Sequence, residues 1–176
     1  MSNLDKYAKK SMSIGITKAK VVDTKTIVVA NWVRLKCQYG CSGYGKRLTC
    51  PPFSPMPEYT KRMLSEYSKA LLMQITGIRL GKEHRMSRKL KNIVAALERE
   101  IFLDGFYKAF GLASGPCRFC RTCNTRKECI HTEQARPAME ACGIDVYQTV
   151  RNNGFELEVV KTEDACCSYN AVILIE

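Results

Sequence analysis

The chain has 176 residues, of which 45% are hydrophobic and 26% are charged. This composition excludes a disordered, collagen-like or repeat protein and predicts one globular domain over residues 1–176. Lys and Arg outnumber Asp and Glu by 28 to 17, a formal charge of +11, which by itself favours a polyanionic partner.

The sequence contains no pattern typical of a membrane span or a secretion signal. No apolar run approaches the roughly 18 residues that a span needs, and the segment 1–7 is polar. We therefore expect a cytoplasmic protein without membrane attachment, whose thiols stay reduced. The ten cysteines then need an explanation other than disulfides, and metal binding is the usual one.

The first half of the chain predicts two strands and one helix. The β-branched and aromatic run over 26–35 predicts a strand that leads into Cys37. Pro57 suits a first helical turn, so a helix is predicted over 57–69. The apolar run over 70–78 is bounded by glycines and predicts a second strand.

The second half predicts a long amphipathic helix over 87–110, a short helix and two terminal strands. The apolar residues at helical spacing in the long helix are Leu90, Ile93, Val94, Leu97 and Ile101. Lys91 is predicted on the opposite, charged face. Asp145 predicts the N-cap of the short helix, and the strands are predicted at 155–159 and 171–175. The fold class is therefore α/β or α+β, with one sheet of about four to five strands and about three to four helices packed on it.

The first cysteine loop (37–52) contains Cys37, Cys41 and Cys50, with three glycines between them. Glycine lets the backbone turn tightly and approach a bound group closely, so that amide N–H groups can point at its sulfurs. The proline pair that follows Cys50 fixes the exit of the chain. We expect the three thiols to converge on one site; the alternative is a glycine-rich turn with incidental buried cysteines.

The second cysteine loop (115–131) has the spacing C-x2-C-x2-C-x5-C, formed by Cys117, Cys120, Cys123 and Cys129. Three thiolates at steps of three resemble the cluster-binding run of bacterial ferredoxins. A single zinc ion needs four donors on one atom, usually as two separated pairs, so the spacing favours iron–sulfur over zinc. Cys129 either completes its own cluster or serves the neighbouring one.

These seven cysteines are one short of two clusters with four thiolates each. If the second loop forms a complete set, the first loop offers three thiolates and an open coordination position, where chemistry would take place. Alternatively His131, Cys142 or another group supplies the missing ligand. Cys142 is otherwise predicted to be a small buried apolar residue, and Cys166 and Cys167 are predicted not to be ligands.

The segments 33–41, 46–52, 115–129 and 135–146 resemble domain-of-unknown-function family 2284, the predicted metal-binding proteins. The resemblance spans nearly the whole chain. It implies a stand-alone cytoplasmic protein, common in anaerobes, whose metal ligands are Cys37, Cys41, Cys50, Cys117, Cys120, Cys123 and Cys129. The family has no established reaction, so the resemblance implies ligands rather than an activity.

Three function hypotheses of different classes follow from the sequence. The leading one is a metal-binding protein with one or two [4Fe-4S] clusters, which transfers electrons to a redox partner protein or activates a small molecule at an incompletely ligated iron. It requires that the two cysteine loops come together in space. The alternatives are a structural zinc-binding protein without catalysis and a basic nucleic-acid-binding module. The last is disfavoured because the basic residues are dispersed and no nucleic-acid-reading motif is present.

Overall fold

Four antiparallel strands form one sheet at the centre of the computed structural model, which describes residues 4–79, 83–162 and 165–176. The strands, in the spatial order β1-β2-β4-β3, are β1 (Lys18–Asp23), β2 (Lys69–Arg79), β3 (Phe110–Leu112) and β4 (Cys166–Leu174). The described helices are α1 (Asp5–Ser13), α2 (Trp32–Gly40), α3 (Pro57–Leu64), α4 (Glu83–Leu103) and α5 (Val146–Asn152). The single sheet and the α+β class are confirmed, and the described part has one helix more than the upper predicted number.

The central strands of the sheet are buried on both faces. Successive side chains of β2 point to opposite sides, so Leu71 and Met73 pack with α1 and α4, whereas Ala70 and Leu72 pack on the other face. This second face is covered by α3, α5 and the segment before α5. A short 3₁₀ turn at Glu140–Cys142 joins this layer through Cys142 and packs on α2, the helix that carries Cys37.

Several predicted elements are confirmed. All five apolar positions of the long helix are buried, as the helical periodicity required. The predicted strand over 70–78 lies within β2, and α3 begins at Pro57 as expected. Asp145 caps α5, because its Oδ1 accepts the N–H of Gln148 at 3.0 Å.

Other element predictions are wrong. The run over 26–35 is not a strand, and its second half begins α2. Its first half packs on the sheet layer through Ile27, but its β pairing is limited to an isolated bridge between Val29 and Ile144, so it forms no strand. The segment 155–159 does alternate between buried and exposed residues at its start, but it lies outside the described strands. Helix α3 ends at Leu64, and α1, β1 and β3 were not predicted from the sequence.

Candidate metal centre

The first cysteine loop brings its three thiols to one cavity of about 480 Å³, which we call the thiol cavity. Cys37 lies in the last turn of α2, Cys41 follows that helix, and Cys50 is only 6% exposed. An alanine Cβ placed at Gly43 would lie 3.5 Å from the Sγ of Cys41 and 3.7 Å from the Sγ of Cys50. Two sulfurs therefore lie close to the same point, and the glycine leaves the space between them open.

Backbone amides of both cysteine loops point at cysteine sulfurs. Each sulfur accepts from the residue two positions later: Gly43 donates to Cys41, Phe119 to Cys117 and His131 to Cys129. The two bonds from Gly43 and His131 both measure 3.4 Å from N to Sγ. The bond from Phe119 lowers the pKa of Cys117, although burial, which is the larger effect, raises it.

The two cysteine loops lie against each other, as the leading hypothesis required. Arg47 in the first loop donates from Nη1 to the main-chain oxygen of Cys120 at 2.8 Å and from Nη2 to that of Arg121 at 3.3 Å. An alanine Cβ at Gly43 would also lie 3.4 Å from the Cβ of Pro116, which immediately precedes Cys117. A planar guanidinium with several donors is well suited to tie two such loops together.

Lys91 is buried beside both cysteine loops, so its predicted place on a charged outer face is wrong. The residue is 1% exposed. Its Nζ donates to Ser87 Oγ at 3.2 Å, to the main-chain oxygen of Gly115 at 2.9 Å and to that of Ser114. These oxygens belong to the turn that leads into the second loop and to α4 itself. The periodicity of the helix cannot reveal them, because the turn is brought over α4 by the tertiary fold.

The ammonium group of Lys91 acts electrostatically on both sets of thiols. Burial lowers the pKa of Lys91 to about 8, while the acidic groups of Cys117, Glu140 and Cys50 act in the opposite direction. In turn the charge of Lys91 favours the thiolate forms of Cys117 and Cys50. One buried cation therefore lowers the pKa of a thiol in each cysteine loop.

Burial is the largest influence on the pKa of three cysteine thiols at this site. It raises the pKa of Cys37 and of Cys117, and it raises that of Cys50 to about 11. The neighbouring Cys41 raises the pKa of Cys37 and Cys50 further. These thiols are accordingly protonated at neutral pH in the metal-free protein, and a metal that binds their thiolates must displace the protons.

Glu140 is a residue at this site that the sequence analysis missed. It lines the thiol cavity together with Cys37, Cys41 and Cys50, and the Cys37 thiol donates to its main-chain oxygen at 3.9 Å. Although the residue as a whole is partly exposed, its Oε2 is inaccessible to solvent and has no hydrogen-bond partner among the described residues. Burial raises the pKa of this carboxyl group. The sequence signal is its position two residues before Cys142; the sequence analysis names His131 and Cys142 as further ligands and leaves any other group unspecified.

The segment that carries Glu140 is held in place from three directions. Arg34 of α2 donates from Nη1 to the main-chain oxygen of Ala141 at 2.8 Å, and Ser54 Oγ donates to the same oxygen at 2.6 Å. Thr60 Oγ1 of α3 donates to the main-chain oxygen of Cys142 at 2.7 Å. The position of Glu140 relative to Cys37 is thus determined by α2, α3 and the exit of the first cysteine loop.

The remaining cysteines and His131 lie elsewhere. Cys142 is fully buried in the core, as predicted, and does not line the thiol cavity. The ring of His131 packs on that of Phe119, with centroids 5.6 Å apart. Cys166 and Cys167 lie in β4, where Cys167 donates to the main-chain oxygen of Ile78 at 3.3 Å. Across residues 4–79, 83–162 and 165–176, no three His, Cys, Asp or Glu side chains form a group that could hold a metal ion, and this also applies to Cys37, Cys41 and Cys50. In an iron–sulfur cluster, by contrast, each thiolate binds a different iron atom, so the sulfurs need not surround one point.

An α+β sheet that carries two adjacent cysteine loops defines a cysteine-rich protein with a candidate metal centre. The chain belongs to the family described as predicted metal-binding protein (DUF2284), whose model matches residues 20–175. This membership confirms the family resemblance inferred from the cysteine motifs. Comparisons with curated proteins and with solved structures found no match. Among the described residues, the helices are all too short or too polar to cross a membrane.

Proposed function

We propose that this metal-binding protein holds two [4Fe-4S] clusters and works in electron transfer or small-molecule activation. One cluster is assigned to the second cysteine loop, through Cys117, Cys120, Cys123 and Cys129. The other is assigned to Cys37, Cys41 and Cys50 and takes its fourth ligand from a group other than these seven cysteines. The proposal includes a single domain, a cytoplasmic location, and a redox partner protein or a small molecule as the interacting species.

The observation that carries this proposal is the repeated N–H to sulfur bond from the residue two positions after a cysteine. It occurs in both loops, at Cys41, Cys117 and Cys129. Hydrogen bonds to cluster sulfurs are among the features that set the reduction potential of iron–sulfur sites. Lys91 adds a buried positive charge between the loops, which offsets the negative charge of cysteine-ligated clusters.

The thiol cavity favours a cluster over structural zinc. A structural zinc site is closed by four protein donors on one atom. The first loop instead presents three thiols to a cavity of about 480 Å³, within the range of roughly 300–1,000 Å³ that small-molecule sites occupy. A bound cluster would supply one-electron chemistry and a Lewis-acidic iron at this cavity. The protein supplies the three thiolates and the amide donor at Gly43.

Anaerobic reconstitution followed by iron counting and EPR spectroscopy tests the proposal. We expect about eight iron atoms per chain in the native protein and about four in either Cys50→Ser or Cys120→Ser. The two variants should retain clusters with different EPR spectra, because each variant loses a different cluster. Cys166→Ser, which changes an exposed thiol of β4, is the matched control and should bind iron like the native protein.

The single tryptophan of the chain reports on one cluster separately. Trp32 lines the thiol cavity, so a cluster on the first loop should quench its fluorescence. Cys50→Ser should lose more of this quenching than Cys120→Ser. A colourless protein that binds only zinc under these conditions would overturn the proposal in favour of a structural metal site.

A further inference from the structure

We infer that the carboxylate of Glu140 is the fourth ligand of the site formed by Cys37, Cys41 and Cys50. This inference rests on the proposed function, since it concerns the first cluster. The proposed ligand lies outside the seven cysteines and is an oxygen donor.

Glu140 has a buried carboxylate oxygen and lines the same cavity as the three thiols. Glu140 lines the same cavity as all three cysteines, and its main chain contacts the Cys37 thiol. Its Oε2 is buried without a hydrogen-bond partner among the described residues. A buried carboxylate oxygen in this condition is costly unless it is protonated or meets a cation. Lys91 acts on this carboxyl group through its charge but does not donate a hydrogen bond to Oε2, so a metal at the thiol cavity would satisfy an oxygen that the described residues leave without a donor.

Other groups near the cavity fit this role less well. Cys142 and His131, the two alternatives considered from the sequence, do not line the thiol cavity. Asp145 does line it, but its Oδ1 is committed to the N-cap of α5. Asn170 also lines the cavity and has a buried Oδ1 without a partner among the described residues. It is a neutral amide on β4, however, whereas Glu140 adjoins Cys37 and carries an anionic donor of the kind that metals bind strongly.

An oxygen ligand changes what the first cluster can do. Thiolates are soft ligands that suit iron–sulfur clusters, while a carboxylate is a harder ligand. In a bound cluster the iron that Glu140 holds would differ from the other three, and a substrate in the thiol cavity would be able to replace the carboxylate while the three thiolates stay bound. Glu140 would thus be the ligand that a small molecule in the thiol cavity replaces when it binds.

Iron counting and Mössbauer spectroscopy of anaerobically reconstituted protein test the inference, with Glu140→Gln, Glu140→Cys and the control Asn170→Ala. In the native protein we expect one iron of the first cluster to have a distinct doublet, because its ligand is oxygen. Glu140→Gln should lower the iron content from about eight to about seven atoms per chain, as a three-iron cluster forms on the first loop. Glu140→Cys should keep about eight atoms and lose the distinct doublet, since all ligands are then thiolates. Asn170→Ala removes the other partnerless oxygen of the cavity and should leave both readouts unchanged.

The outcomes separate this inference from the proposed function. If native protein binds no iron, the proposed function fails. If native protein holds two clusters but Glu140→Gln has the same iron content and the same Mössbauer spectrum, only the role of Glu140 is overturned. Should Glu140→Gln fail to fold, the Glu140→Cys spectrum decides: an unchanged distinct doublet overturns the inference, and its loss supports it.

Discussion

Gly43→Ala offers a sharp test of whether the first cysteine loop holds an inorganic core. The backbone of Gly43 lies outside the left-handed region, so alanine fits its conformation. The added methyl would stand 3.5 Å from the Sγ of Cys41 and 3.7 Å from the Sγ of Cys50, which is ordinary van der Waals contact. We therefore expect the substitution to leave the metal-free fold intact.

The same methyl group should obstruct metal binding. In a [4Fe-4S] cluster each thiolate binds its own iron at about 2.3 Å, so the core would occupy the space beside both sulfurs where the methyl group lies. The methyl and the core thus compete for the space beside the two sulfurs. We expect Gly43→Ala to lose about four iron atoms per chain, which is the whole first cluster. The metal-free variant should gain about 0.4–1 kcal/mol from the reduced entropy of its unfolded chain.

Gly40→Ala is the matched control, because an alanine Cβ at that position meets nothing within 4 Å and its backbone also lies outside the left-handed region. Both variants are measured by iron content after anaerobic reconstitution and by thermal unfolding before it. In a chain of this size, a gain of 1 kcal/mol raises the Tm by about 2–4 °C. A Gly43→Ala protein that binds as much iron as Gly40→Ala would refute the assignment of a cluster to the space beside Gly43.

Three further predictions concern stability. Glu98→Ala removes the carboxylate that accepts hydrogen bonds from Arg136 Nε and Nη2, both at 2.6 Å. Because this ion pair is largely buried, the free energy of unfolding in urea should fall by about 3–5 kcal/mol, and a fall below about 1 kcal/mol would contradict this. Gly143→Ala should lower the free energy of unfolding by about 1–3 kcal/mol, because φ is +80° and the new Cβ would lie 2.7 Å from Pro57 Cγ; an unchanged Tm would show that the contact relaxes freely. For metal-free protein, burial raises the pKa of Cys50 from 9.0 to about 11, so the folded state holds this proton more tightly. The stability that this proton contributes is present below pH 9 and is lost as the pH rises to about 11. Between these two pH values the free energy of unfolding should therefore fall more in the native protein than in Cys50→Ala.

Local patterns in the sequence predicted the parts of the fold that depend on neighbouring residues. The apolar face of α4 follows from helical spacing, and the start of α3 follows from Pro57 in its first turn. The cap at Asp145 is likewise a contact with a residue three positions later. Such features need only short-range geometry, which the order of residues specifies directly.

The candidate site was predictable only in its cysteines. Their spacing marked two loops, and the contact between Arg47 and Cys120 joins those loops across 73 positions in the chain. The predicted face for Lys91 is wrong, because the carbonyl groups that accept its hydrogen bonds come from a turn 23 to 24 residues away. Glu140 went unnoticed for a similar reason.

The sequence by itself indicated an α/β or α+β fold with one sheet, and it placed two cysteine motifs in a chain that belongs to a predicted metal-binding family. Only the tertiary structure decided that both motifs meet beside one buried lysine, and that three thiols share a cavity with a carboxylate. The physical reason is that burial and desolvation depend on which distant segments cover a side chain. Those segments also decide which polar atoms are left without a partner.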